Sequence, residues 1–292
     1  MDLVVKTERS PVPGETIAGQ EFAMIPGGKG ANQAVAAARL GSEVSMIGCV
    51  GGDIFGIQLI EQMRKEGIDT SRILTVQEAS TGVALIQVQQ DGDNSIVVVA
   101  GANGCVTPAI VMQAEEAIRS ADVLLVQLEI PLEAVEQAIE LAHRHGVRTI
   151  LNPAPASELP QPLLHQVDIV TPNETEASIL AAGTVESSVT MGERIERLKI
   201  LTGQGNVIVT QGDKGVLFDL DGRRGSFPAY EVVVVDTTAA GDSFNAGVAV
   251  RWAEGAELKE AIRFASAVGA LTYPVLVRKP RCRIVPRWKS SS

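Results

Sequence analysis

The stretch Val235 to Gly247 reads V-D-T-T-A-A-G-D-S-F-N-A-G. It follows the apolar run Val232 to Val235 and leads into a helical pattern, so it predicts a strand, a tight turn and a helix start. Small residues in the turn let a ligand approach the backbone closely. Because the first amides of a helix have no intrahelical partners, this terminus is a candidate anion site.

Asp242 is the chemically unusual residue of this turn. A carboxylate disfavours a bound anion, but it suits a base that works beside a transferring phosphoryl group. The simpler alternative is that Asp242 caps the helix, because Asp is common at helix N-termini. The turn taken alone leaves both interpretations open.

The pattern D-T-x-A-A-G-D-x-F resembles the C-terminal signature of the ribokinase branch of the PfkB-type carbohydrate kinases. The resemblance implies that Asp242 takes the proton from a sugar hydroxyl. It also implies an anion hole formed by the backbone of Ala239, Ala240 and Gly241. An activating potassium ion is implied at two further positions of the stretch, Asp236 and Thr238.

Composition is compatible with this assignment. The 292 residues, 45% apolar and 3% aromatic, suit one large α/β domain with a small addition. A net charge of −10 argues against nucleic acid as a partner, whereas a helix N-terminus and Mg²⁺ can hold phosphates without a basic surface. Three scattered cysteines and the lack of a signal peptide or membrane span predict a cytoplasmic protein.

The motif P-G-G-K-G-A-N-Q at Pro26 to Gln33 precedes an Ala-rich helix. It is not a Walker A loop, because Lys29 is followed by Gly30. It is similar to the family's N-terminal sugar-binding signature, although a Gly-rich turn before a helix is the simpler alternative. The resemblance, which includes a Q-L-E-x-P motif after a predicted strand, implies a sugar site made of Asp2, Gly27, Gly28, Lys29, Gly30, Ala31, Asn32, Glu129 and Asp242. Asn152 also follows a predicted strand, at the edge where open α/β sheets place their sites.

Two further motifs resemble the family's nucleotide site: P-N-E-T-E at Pro172 to Glu176, and T-Q-G-D-K-G at Thr210 to Gly215. The first implies Mg²⁺ held near Glu176 through water, although an acidic first helical turn is the simpler alternative. The second is by itself a common Gly-rich turn after a strand. Together they imply an ATP site of Asn173, Thr210, Gln211, Gly212, Asp213, Lys214, Gly215, Gly241 and Asp242.

From Pro108 onwards, helical and strand patterns alternate, which predicts parallel βαβ units. β-rich runs around Asp91–Asn94 predict a hairpin outside the main fold. With the resemblance, we expect a ribokinase-like three-layer αβα domain (20–80 and 101–272) with a mostly parallel central sheet. We expect a small β-sheet lid (2–19 and 81–100) that covers the sugar and forms the surface of a homodimer.

The two ends depart from the family pattern. A first strand ending in G-S-x-N does not precede Asp2, from which we expect a misassigned start or a truncated product. The resemblance ends near Thr272, and Tyr273 to Ser292 form an aberrant basic, proline-containing tail. We hypothesise a frameshift near Thr272, which would remove further potassium ligands and part of the adenine pocket.

The favoured function is ATP-dependent phosphorylation of D-ribose at O5. The alternatives are a kinase of another sugar, such as deoxyribose or fructose, and a truncated sugar-binding remnant with impaired catalysis. An NAD-dependent dehydrogenase is disfavoured, because no G-x-G-x-x-G follows a first strand.

Overall fold

The computed structural model describes residues 1–91, 93–182, 189–203, 205–231 and 239–271. The predicted strand Val232 to Val235, the expected cation ligands Asp236 and Thr238, and the tail from Tyr273 lie outside the described residues.

The described strands are β1 (Asp2–Thr7), β2 (Glu21–Ile25), β3 (Ser45–Gly51), β4 (Asp69–Val76), β5 (Val83–Gln89), β6 (Asn94–Val99), β7 (Val123–Val126), β8 (Arg148–Leu151), β9 (Ile169–Val170), β10 (Asn206–Thr210), β11 (Val216–Leu220) and β12 (Arg223–Phe227). The described α-helices are α1 (Lys29–Arg39), α2 (Ile54–Lys65), α3 (Pro108–Gln113), α4 (Glu115–Arg119), α5 (Leu132–His145), α6 (Gln161–Leu164), α7 (Glu174–Ala182), α8 (Met191–Leu201), α9 (Ala240–Ala253) and α10 (Leu258–Ala270).

The main sheet has the strand order β12-β11-β10-β9-β8-β7. Strands β7 to β10 are parallel, and β11 and β12 extend the sheet antiparallel. This agrees with the predicted βαβ alternation. β3 and β4 form a separate parallel pair within the described residues.

Helices cover both faces of the main sheet, as alternate residues of its strands show. In β8, Ile150 packs with Phe244 and Ile262 of α9 and α10, whereas Leu151 packs with Ile139 and Leu198 of α5 and α8. Successive strand residues point to opposite faces, so each strand contributes to two cores. The predicted three-layer αβα architecture is confirmed. This architecture places α9 on one face of the main sheet, with the N-terminus of the helix towards the polar residues at the strand ends.

A four-stranded sheet, β2-β1-β5-β6, forms beside the main fold, and we call it the lid. β1 pairs antiparallel with β2 and parallel with β5. The expected lid boundary at residue 20 therefore needs correction, because Glu21–Ile25 belongs to the lid sheet rather than to the core. Glu21–Ile25 belongs to the lid because it pairs with β1. Neither strand is near the hairpin at Asp91 in sequence, so local patterning does not reveal that they share its sheet.

The first helical stretch after Pro108 is divided. The pattern from Pro108 to Arg119 forms α3 and α4, with a break at Ala114, where ψ is 9°. Ala114 is buried, so tertiary packing overrides its helix propensity. None of the helices in the described ranges is both apolar and long enough to cross a membrane.

Candidate active site

Asp242 lies in the first turn of α9 and is only 8% exposed. Its Oδ2 accepts a hydrogen bond from Asn32 Nδ2 at 3.0 Å, and its Oδ1 accepts one from Gln33 Nε2 at 2.9 Å. The N-cap of α9 is Ala239, and no side chain in the described residues caps the helix. Asp242 is therefore not the helix cap that its position alone allowed. Its carboxylate faces α1.

The start of α1 brings two amide side chains to Asp242. Gly28, the N-cap, has a φ of 103°, a conformation that L side chains rarely adopt, so glycine permits the sharp entry into α1. Asn32 and Gln33 follow within the first turns, where α1 packs against α9. The glycines of the motif thus direct the chain so that its polar residues meet the carboxylate.

The other residues expected to bind sugar surround the same helix start. Glu129 follows β7 and accepts a hydrogen bond from the backbone N–H of Lys29 at 2.8 Å. Asp2, at the start of β1, packs so closely on Gly27 that a Cβ at residue 27 would overlap its carboxylate. The structure therefore gathers carboxylates from the lid, the sheet and α9 around the turn before α1.

These carboxylates repel one another. Burial raises the pKa of Glu129, and the charges of Asp242 and Asp2 add to the rise, whereas the N–H and the charge of Lys29 oppose it. Burial also raises the pKa of Asp2, with a further contribution from Asp242. A pocket of partly desolvated acceptors is suited to a ligand that carries several hydroxyl donors.

Glu129→Gln is expected to raise the melting temperature of the ligand-free protein at neutral pH. The pKa of Glu129 is higher in the folded state than its ordinary value of 4.5, so the ionised carboxylate opposes folding above the folded pKa. This penalty disappears as the pH falls through the folded pKa. The gain from the substitution should therefore shrink towards pH 4.5 in thermal unfolding followed by circular dichroism.

Glu158→Gln is the matched control, because Glu158 is exposed and lies outside the site. It should leave the melting temperature nearly unchanged at both pH values. A lower melting temperature for Glu129→Gln at neutral pH would contradict the charge repulsion described above.

The residues expected to bind nucleotide lie on the neighbouring strand ends. Asn173 precedes α7, and its Oδ1 accepts from Glu176 N while its N–H donates to Glu176 Oε2, both at 2.8 Å. Asn173 also forms a bridge with Thr210 at the end of β10. The loop after Thr210 is joined to α7, because Gln211 Nε2 donates to Glu174 Oε1 at 2.9 Å.

Within that loop, Gly212 and Gly215 have φ values of 58° and 98°, which only glycine adopts readily. Lys214 is exposed and pairs with Glu174 at 3.3 Å, and Asp213 is exposed beside it. The backbone of this loop and the Lys214 ammonium group therefore lie beside the start of α7.

Glu176 connects the two halves of the site. Burial raises its pKa, the Asn173 N–H and the charge of Lys29 lower it, and the charge of Asp242 raises it. Lys29 and Asp242 thus lie within electrostatic range of Glu176. The described residues contain no group of three His, Cys, Asp or Glu side chains arranged to hold a metal on its own. A single carboxylate of this kind fits a hydrated Mg²⁺ whose other ligands are phosphates.

Sequence reasoning missed three of the site's polar residues. Gln33 bonds Asp242 directly, Gln127 bonds Gln33, and Glu174 holds the loop after β10. Asn152, which the sequence placed at a strand end, accepts from Gln33 Nε2 at 3.1 Å. The one available signal for Gln33 was its place next to Asn32 at the start of an otherwise apolar, Ala-rich helix.

Known proteins resemble this chain over nearly its whole length. Residues 1–275 match the family described as "pfkB family carbohydrate kinase". A ribokinase of Haemophilus influenzae is 44% identical over 273 residues, which cover 93% of this chain and 88% of that protein. A deoxyribokinase of Salmonella typhi is 38% identical over 271 residues, covering 91% of this chain and 88% of that protein.

A solved structure, ribokinase of Arabidopsis thaliana complexed with ribose and ATP, superposes with a TM-score of 0.84 and is 34% identical. The match covers 92% of this chain and 88% of that one. The family match ends at residue 275, close to Thr272, where the sequence resemblance ends. On the extent of these matches, and on a site built from the same motifs, the chain belongs to the pfkB family of carbohydrate kinases.

Proposed function

We propose that the protein transfers the γ-phosphoryl group of ATP to O5 of D-ribose. The observation that carries this proposal is the buried Asp242 carboxylate in the first turn of α9, held by Asn32 and Gln33 within electrostatic range of the sugar-side carboxylates and of Glu176. The ribokinases among its relatives, one of them in complex with ribose and ATP, support the choice of both substrates.

In this proposal Asp242 accepts the proton of the attacking sugar hydroxyl. Asn32, already directed at Asp242, is placed to donate to the sugar, and Asp2 and Glu129 accept from its other hydroxyls. The first-turn amides of α9, Ala240 to Asp242, would stabilise charge on the transferring group, because a helix N-terminus favours negative charge.

Two cations belong to the proposal. Mg²⁺, held through water by Glu176, would supply neutralisation of the phosphate charge, and Asn173, Thr210 and the loop to Gly215 would bind ATP. K⁺ would bind at Asp236 and Thr238, which lie outside the described residues. We place the reaction in the cytoplasm, where ATP is available.

The sugar specificity is tested by steady-state kinetics of ADP release with ribose, deoxyribose and fructose, each with Mg²⁺ and with K⁺ or Na⁺. Ribose should give the highest kcat/KM. A higher kcat/KM for deoxyribose would favour the function of the Salmonella typhi relative instead. Binding of ribose without turnover would favour the impaired sugar-binding remnant.

We further propose that the lid forms a homodimer. Residues directly opposite each other on paired strands point to the same face. Met24, Leu3, Leu85 and Val97 form one such row across all four strands. The apolar residues of this outer face that are 44 to 64% exposed are Phe22, Met24, Leu85, Val97 and Val99.

Asp2 lies on the opposite face, in the row that contains Ala84 and Val98, and is turned towards Gly27. The inner face therefore carries Asp2 towards the sugar site, together with the exposed Ile96 and Val98, and the outer face is left to meet a second copy. A continuous apolar face on a small sheet is covered most simply by the same face of another chain, which produces a closed dimer.

Val97→Glu is expected to convert the dimer to a monomer, as measured by size-exclusion chromatography with light scattering. The substitution places a charge within an apolar interface, where it lacks a partner. Ile200→Glu, at a similarly exposed apolar residue of α8, should leave the dimer intact. A wild-type protein that elutes as a monomer at all concentrations would contradict the proposal.

A further inference from the structure

We infer that Gln33 is a positioning residue for Asp242, and that Gln127 and Asn152 fix Gln33 in the orientation this requires. The inference rests on the proposed role of Asp242 as the base. It adds a layer of residues that do not touch the sugar.

Gln33 is only 1% exposed, which is rare for glutamine. Burying an amide costs free energy unless its polar atoms find partners. Both Nε2 protons are used, one on Asp242 Oδ1 at 2.9 Å and the other on Asn152 Oδ1 at 3.1 Å. Its Oε1 accepts from Gln127 Nε2. Each polar atom of the Gln33 side chain therefore has a hydrogen-bond partner, which holds the amide in one orientation.

The orientation of the Gln33 amide follows independently from two of its hydrogen-bond partners, Asp242 and Asn152. At one end an ionised Asp242 carboxylate can only accept, so the Gln33 atom that faces it is the nitrogen. At the other end, Asn152 Nδ2 donates at 3.0 Å to the backbone carbonyl of Thr171, which also only accepts. That leaves Asn152 Oδ1 towards Gln33, which again requires the Gln33 nitrogen there. Both ends give the same orientation.

The network continues into the helix that carries the base. Thr171 Oγ1 donates to Asn245 Oδ1, and Asn245 Nδ2 donates at 2.9 Å to the carbonyl oxygen of Gly241. Asn245 and Thr171 are both buried. The first turn of α9 is thus joined to the ends of β8 and β9 through the backbone at Gly241 as well as through the Asp242 side chain.

Asn32 and Gln33 each donate to a different oxygen of the Asp242 carboxylate. Asn32 is half-buried and lies on the side of Oδ2, where a sugar can compete for its amide. Gln33 is enclosed and bonds Oδ1, so it can hold the carboxylate throughout the reaction. A donor to an ionised carboxylate favours the charged form, which is the form that accepts a proton.

Gln33→Met, similar in shape but unable to donate, is expected to lower kcat about ten- to hundredfold, the usual effect of losing a hydrogen bond to a charged group. The dissociation constant of ribose should change less than about threefold, because Gln33 does not reach the sugar. The acid limb of kcat/KM should move to higher pH, because a lost donor to a carboxylate disfavours its charged form.

Three carboxylates interact electrostatically with Asp242 from the surrounding elements, namely Asp2 on β1, Glu129 after β7 and Glu176 on α7. Lys29 on α1 acts on Glu129 and Glu176. They are identical in the wild type and in the variant. A difference between the two pH profiles therefore reports the loss of the Gln33 donor rather than the titration of these neighbours.

Gln127→Met is the second variant, because it leaves the bond between Gln33 and Asp242 possible but removes the donor to Gln33 Oε1, one of the contacts that hold the amide. It should give the same changes as Gln33→Met in kcat and in the acid limb, with a smaller magnitude. Thr149→Val is the control, since Thr149 is fully buried in β8, outside this network. It should show ordinary pH dependence and kcat when the folded fraction is taken into account.

Wild-type kcat and an unmoved acid limb in both glutamine variants would overturn the inference. So would a loss in ribose affinity that accounts for the whole fall in kcat/KM. If Gln33→Met does not fold, Gln127→Met decides by the same readouts. An Asp242→Asn variant that retains activity overturns the proposed base itself. An inactive Asp242→Asn beside unaffected glutamine variants rejects only the positioning role.

Discussion

Asp242→Asn is expected to lower kcat by roughly 10²–10⁴-fold, the range that a positioned general base contributes. The substitution keeps the shape of the side chain but replaces the basic carboxylate with an amide that is too weak a base to accept the proton of the sugar hydroxyl. The dissociation constant of ribose should change little, because Asp2 and Glu129 remain in place around the start of α1. Stopped-flow or steady-state assays of ADP release, with ribose binding measured by calorimetry, separate the two effects.

Asp219→Asn is the matched control. Asp219 is as buried as Asp242, at 4% exposed, but it lies in β11 and pairs with Lys199 and Arg224. Removing its charge should destabilise the fold, because it removes the buried carboxylate that pairs with Lys199 and Arg224. The kcat of the remaining folded enzyme should not change. Equal losses of kcat in the two variants would show that charge removal acts through the fold, and Asp242 would lose its proposed role.

Gly27→Ala is expected to raise the KM for ribose about ten- to hundredfold, in line with the loss of a hydrogen bond to a charged group. The added Cβ would overlap the carboxylate of Asp2, which must then move away from the site. The overlapping atoms are the carboxylate end of the side chain of Asp2, the first residue of β1, so the fold can accommodate this shift. The effect should therefore appear in KM and ribose affinity, with a smaller change in kcat.

Gly192→Ala serves as its control, because the nearest atom to a Cβ at that position is Thr190 Oγ1 at 4.0 Å, an ordinary contact. Alanine is also the better helix former in the first turn of α8. This variant should keep wild-type kinetics and equal or greater thermal stability. Wild-type ribose affinity in Gly27→Ala would mean that Asp2 does not bind the sugar.

The architecture was predictable from sequence where the pattern is local. Apolar strands alternating with helices from Pro108 onwards impose parallel βαβ units, and the structure has them in β7 to β10. Residues 21–25 were assigned to the core rather than to the lid, because the pairing of β2 with β1 across the turn at Pro11 to Gly14 is set by tertiary contacts. The split of the helix at Ala114 has the same origin.

The residues of the candidate site could be predicted only where they belong to a recognisable sequence motif. The Asn32 and Asp242 side chains came from separate motifs, and the structure places them in contact although 210 positions separate them. The Gln33 network could not be read in this way, because Gln127 and Asn152 lie 94 and 119 positions away and no local pattern pairs either of them with Gln33. Hydrogen-bond partners of this kind follow from packing, which no local periodicity encodes.

The most direct test of the account is product identification after incubation of the 292-residue protein with ATP, Mg²⁺, K⁺ and ribose, using proton–phosphorus correlation by NMR. The account predicts a phosphomonoester on C5 of ribose, formed in stoichiometric amounts with ADP by the wild type and not detectably by Asp242→Asn in the same time. Phosphate on another carbon, no transfer by the wild type, or equal transfer by both proteins would contradict it.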